Sequence, residues 1–106
     1  MNYVKITVLK KDYNKNLVLQ YGVDGLKQYP MLHEGQEIIC KRHNQPKEIC
    51  EEAWKSMQHY ALYHGSDIPF GNKWMKYPGI AIVTCNDGLR PVTFKLELIQ
   101  DEGDEL

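Results

Sequence analysis

Residues 79–99 read GIAIVTCNDGLRPVTFKLELI, and the reading of this stretch decides the fold. Its first part, 79–85, is a short unbroken apolar run, which predicts a central strand covered on both faces. Its second part, 91–99, alternates, with Val92, Phe94, Leu96 and Leu98 inward and Thr93, Lys95 and Glu97 between them. Pro91 has no N–H to give a ladder, so it can only begin that strand or lie on an edge. Between the two stands Asn86-Asp87-Gly88, the strongest turn signal in the chain. Leu89 and Arg90 lengthen the connection beyond two residues. The stretch therefore predicts an antiparallel hairpin with an apolar face that something else must cover.

Working outward, residues 3–10 (YVKITVLK) put Val4, Ile6 and Val8 on one face and Lys5 and Thr7 on the other, as a half-buried strand does. Residues 36–42 follow Gly35 and read as another strand. His43-Asn44-Gln45-Pro46 then breaks the chain. Pro46 suits the first turn of a helix, and Glu48, Glu51 and Glu52 set negative charge where the helix dipole favours it. Ala53, Trp54, Met57 and Ala61 fall at helical spacing on one stripe, and Gly65 is a natural cap. A helix over roughly 47–64 is expected. Asn14 can cap a short helix from Lys15 to Tyr21 that stops at Gly22, although an irregular loop fits residues 11–30 nearly as well. Residues 66–78 form a loop that carries Phe70, Trp74, Met75 and Tyr77, large side chains that fold back on a core or line a pocket.

The order of elements is that of an α+β domain, residues 1–106, with its core over 3–99 and an acidic tail from 100 to 106. We expect a small, mostly antiparallel sheet of about four strands packed by one long amphipathic helix. A half-open barrel plugged by that helix would use the same pattern. At 106 residues the chain is one domain, and 42% apolar with 25% charged residues is ordinary for a folded one.

Thirteen basic and 14 acidic side chains leave a net charge of −1. Lys and Arg are scattered, without the basic stripe a phosphate backbone attracts, so nucleic acid is not an expected partner. No apolar run approaches a membrane span and no basic-then-apolar leader opens the sequence. Three cysteines without CxxC spacing make a poor disulfide framework, so we expect a cytoplasmic protein with reduced thiols.

Chemistry is sparsely signalled. His33, His43, His59 and His64 form no HExxH, and with the three cysteines they give no spacing that demands a metal. Neither a phosphate loop nor a GxSxG elbow occurs, and no cofactor is implied. Cys50 stands in the first turn of the expected helix, where a thiolate is stabilised. Against that, three glutamates surround it and it shares the apolar stripe, so a buried inert thiol is the favoured reading. Cys85 ends a strand beside a loop, where rigid scaffolds build sites. Asp87 and Arg90 can brace the turn locally, or Arg90 can offer its planar fork to a carboxylate or phosphate. The aromatic surplus, with Trp54, Phe70 and Trp74 foremost, lines a cleft or a subunit contact if the core does not need it.

The segments Val4 to Lys10, Glu34-Gly35-Gln36-Glu37, Cys50 with Trp54, and above all Cys85-Asn86-Asp87-Gly88-Leu89-Arg90-Pro91-Val92 together resemble one pattern. It is similar to that of a family of small prokaryotic proteins of unknown function, about as long as this chain. The resemblance implies that Cys50, Cys85, Asp87, Gly88 and Arg90 are the positions to test, and it lends no activity or cofactor. The family pattern carries a further cysteine before a proline ahead of the second strand. Here Tyr29 precedes Pro30, which argues against three thiols acting together on a metal.

The residues favour a ligand-binding or protein-interaction module, with self-association a further expectation from the aromatic surplus. One alternative is a thiol-dependent redox or metal-binding protein using Cys50 and Cys85. A second is an RNA-binding small barrel, suggested by Gly35-Gln36-Glu37 before a strand and opposed by the charge balance.

Overall fold

The computed structural model describes residues 2–41, 44–61, 75–77 and 79–100. They form β1 (Asn2–Lys11), α1 (Lys15–Tyr21), β2 (Glu37–Cys40), α2 (Glu51–Ala61), β3 (Ile80–Thr84) and β4 (Val92–Gln100). The four strands make one sheet in the order β2-β1-β4-β3, every pair antiparallel. The sheet is open, with β2 and β3 at its edges, so the barrel alternative is not formed. Physically, edge strands of four and five residues are too few and too short to curl round and meet.

Register follows the alternation. Val4, Ile6 and Val8 stand opposite Leu98, Leu96 and Phe94, and Ile6 faces Ile38 on its other side. A one-residue slip would turn every one of these side chains to the wrong face. A register shift between Val8 and Lys10 lets Lys11 pair with Val92, which is buried. Val4, Val8, Phe94 and Leu96 are fully inaccessible, and each such side chain contributes about 1.5–3 kcal/mol by leaving water.

The covering layer on this face comes from α2 through Ala53, Trp54 and Met57, with Ile49 just before it and Leu32 from the long connection to β2. The helix begins later than its sequence suggests. Pro46 to Ile49 is a turn closed by the Ile49 N–H on the Pro46 carbonyl (3.1 Å) and by the Gln45 amide on the Ile49 carbonyl (2.9 Å). Cys50 is the capping residue: its carbonyl accepts the first helical bond from Trp54 (2.9 Å) and its sulfur accepts the Ala53 N–H (3.5 Å). Glu51 and Glu52 then occupy the first turn. The expected helix end at 64 lies outside the described residues.

The short helix α1 forms with the bounds its sequence suggests, in place of an irregular loop, and joins α2 as a second helix of the described chain. Two further readings change. Asn14 does not cap α1 with its side chain; its amide donates to the Gly88 carbonyl, and its N–H donates to Leu89 O (2.9 Å). At Gly22 the backbone turns extended as α1 ends, its N–H on the Val18 carbonyl (2.8 Å), and a Cβ there would meet that carbonyl at 2.9 Å, which is why glycine suits the position. Finally, β3 is an edge strand whose Ile82 is 46% exposed, not a central one. An apolar run reports that a strand has a core-facing side, but isoleucine on the other side is compatible with a wet face.

Candidate functional site

The end of β3 and the start of β4 are joined by residues 85–91. Cys85 and Val92 close this loop at its base: the Cys85 N–H donates to the Val92 carbonyl (3.0 Å), and the Val92 N–H donates to the Cys85 sulfur (3.3 Å). Asp87 shapes the interior. Its Oδ1 accepts the N–H groups of Leu89 (2.9 Å) and Arg90 (3.2 Å), an Asx-type turn, and its Oδ2 accepts the Arg90 Nε–H at 3.0 Å. Burial pushes the Asp87 carboxyl up, but the two amides and the guanidinium outweigh it and hold its pKa below the ordinary value.

Asn86 fastens the loop to α2. Its amide donates to the Glu52 carbonyl (3.1 Å) and to Glu52 Oε1 (3.3 Å), and its Oδ1 accepts the Ser56 hydroxyl (2.8 Å). The loop, the first turn of α2 and the segment around Tyr29 thereby enclose a cavity of about 320 Å³. Leu32, Ala53, Val92 and Phe94 supply its apolar walls. Cys50, Cys85, Asp87 and Arg90 also line it, together with Tyr29, Glu52 and Asn86. The size is at the small end of those that hold metabolites.

Two features orient the polar side. The Arg90 guanidinium carbon lies 5.9 Å from the centre of the Tyr29 ring, so the cation is held between that ring and the Asp87 carboxylate. Among the described residues it donates only through Nε, and neither Nη group has a partner there. Tyr29 lines the cavity together with Cys50 and Cys85. Burial, then Cys50, raises the tyrosine pKa, and Arg90 opposes them.

Four of the five residues singled out from sequence thus meet at one cavity. Gly88 does not line it: it is exposed, outside the left-handed region, and contributes a carbonyl to Asn14. Cys50, read as a buried thiol, is exposed, because as a capping residue it precedes the apolar stripe. Trp54 is in the core and is not a lining residue, while Phe70 and Trp74 lie outside the described residues. Cys40, the last residue of β2, is buried, and desolvation pushes its thiol up to about 11. Sequence reasoning passed over Tyr29, Glu52 and Asn86 as site residues. An aromatic before proline in a polar loop was the available signal for Tyr29; Glu52 and Asn86 were readable only as dipole and turn residues.

Among the described residues no three of His, Cys, Asp and Glu group to hold a metal ion, and no helix is long and apolar enough to cross a membrane. Comparison with known proteins gave no family model that matches the chain, and no similar curated protein or solved structure.

Proposed function

We propose that this protein is a small-molecule-binding module whose guest is a small organic anion with an apolar body, held in the cavity beside Arg90. The observation that carries the reading is the clamped guanidinium. A cation already bonded by Asp87 on one side and lying over the Tyr29 ring on another has less freedom to give up when a ligand arrives, which lowers the cost of binding. Both Asp87 oxygens are already occupied, so its charge orients the arginine more than it competes with a guest. Leu32, Ala53, Val92 and Phe94 would take the apolar portion. Glu52 also lines the cavity, so the guest's anionic groups belong at its ends, away from Glu52, with its middle uncharged. Three free thiols are in keeping with a cytoplasmic home.

The test is a thermal-shift and NMR screen of small mono- and dicarboxylates against wild type and Arg90→Gln. A charge-assisted bond is worth about 1.5–3 kcal/mol, so the variant should bind a stabilising carboxylate roughly ten- to a hundredfold more weakly. A wild-type chain that no carboxylate stabilises, or an equal response from Arg90→Gln, ends this reading.

A further inference from the structure

The anion site leaves two nucleophiles on the cavity wall unused. Cys50 approaches from the cap of α2 and Cys85 from the end of β3, and both line the same space as Arg90. They come from different elements, 35 positions apart by number, and Tyr29 lines the same cavity between them and Arg90. Cys50 is exposed and Cys85 partly so, in contrast to Cys40, which is sealed in the core with its thiol bonded to the Asn44 carbonyl at 3.3 Å. One thiol facing a cavity is unremarkable. Two thiols and an oriented cation facing the same cavity make a place where a small disulfide with a carboxylate arm can be seated and opened.

We propose that Cys50 and Cys85 form a dithiol that reduces small carboxylate-bearing disulfides seated through Arg90. This rests on the anion-binding reading above and names the chemistry of its guest. In the first step the Cys50 thiolate attacks one sulfur of the guest. The guest's S–S bond breaks, a mixed disulfide forms on Cys50, and the departing thiolate takes up a proton. In the second step the Cys85 thiolate attacks the Cys50 sulfur, which forms the protein disulfide and expels the other half as a thiolate that is protonated in turn. Two protein thiols are oxidised, one guest disulfide is reduced to two thiols, and the two thiol protons leave with them. Exposure makes Cys50 the first nucleophile, and Cys85, which is only partly exposed, the second.

The experiment treats the reduced full chain, in native buffer, with dithiodiglycolate, and with bis(2-hydroxyethyl) disulfide as the neutral control. Acid-quenched samples are read by intact mass and peptide mapping. Wild type should end with a Cys50–Cys85 disulfide and no retained adduct, with Cys40 unmodified. Cys85→Ser, or Cys85→Ala if the serine variant does not fold, should stop at a mixed disulfide on Cys50. Cys50→Ser should react at least about tenfold more slowly, and Arg90→Gln should slow dithiodiglycolate about tenfold while changing the neutral control less than about twofold.

Binding of adipate, in which CH₂ groups replace the two sulfurs, separates the two ideas. If adipate binds but Cys50 stays unmodified until the chain unfolds, the dithiol is overturned and the anion site stands. A stable adduct on wild-type Cys50 removes Cys85 from the chemistry and overturns the proposal as well. Should adipate fail to bind and both disulfides react alike in wild type and Arg90→Gln, the anion site itself is wrong.

Discussion

The two edges of the sheet carry the same residue type to opposite ends. At the β2 edge Cys40 is buried, its sulfur tied to the Asn44 carbonyl, and nothing reaches it. Beyond the β3 edge Cys85 is half-covered, bonded to Val92, and fronts a cavity. Both belong to the same apolar face, Cys40 inside the buried cluster and Cys85 packed against it. The difference lies in what lies alongside. The Asp87 turn and the Asn86 strap hold the β3–β4 loop in one shape and fasten it to α2, which leaves room between them. A small domain can therefore be solid at one edge and hollow at the other without changing its pleat.

The sharpest way to break this contrast is Phe94→Ala. Phe94 is wholly buried, pairs with Val8 in the sheet and forms part of the cavity wall, so it belongs to both halves. Its loss should cost about 3–5 kcal/mol in chemical denaturation, a large share of the stability of any small domain. A cost below about 1 kcal/mol would mean that the cavity already reaches under the sheet.

Next is the thiol contrast. In the native chain iodoacetamide should label Cys50 and Cys85, and Cys40 only after denaturant is added, as read by peptide mass. The sign of its pH effect follows from the raised pKa. A thiol that ionises near 9 when unfolded and at about 11 when folded supports the native state fully below pH 9. That support is lost as the pH climbs from about 9 towards about 11. The stability gap between wild type and Cys40→Ala should therefore narrow across that window. Equal labelling of all three thiols, or a gap that widens, would erase the distinction between the edges.

Asp87→Asn probes the hollow side with a smaller effect. It keeps the turn acceptor but removes the charge behind Arg90, and should cost about 1 kcal/mol near neutral pH. Because the folded carboxyl has a depressed pKa, its support is present above the ordinary carboxylate value and fades as the pH falls through the lower, folded one. Wild type and variant should converge in acid. Gly88→Ala should change almost nothing, within about 0.5 kcal/mol, since Gly88 has no left-handed backbone and empty space where a Cβ would go. A larger loss would show that the glycine serves the loop in some other way.

Much of this was legible in residues 79–99, because alternation specifies register and Asn86-Asp87-Gly88 marks the reversal. Val4, Ile6 and Val8 announced their strand for the same reason. The site was half legible. Cys85, Asp87 and Arg90 are close in sequence, and an acid three residues before an arginine suggests a brace. That Cys50 and Tyr29 join them is a matter of how α2 and the connection before β2 cross the sheet, and local spacing carries no such information. The start of α2 was misjudged because proline tolerates a turn as readily as a first helical residue. The edge position of β3 was hidden because Ile82 looks the same in sequence whether water or another layer meets it.

One consequence of the strand order concerns time. The two middle strands, β1 and β4, come from opposite extremes of the described chain, with Asn2 across from Gln100. Pairing them closes nearly the longest possible loop, so the sheet is rich in distant partners and its assembly should be slow for its size. During synthesis Val4, Ile6 and Val8 must wait, with only β2 beside them, until β4 has emerged from the ribosome. Their oily face is then a hazard for clumping that ends only when Phe94 and Leu96 arrive.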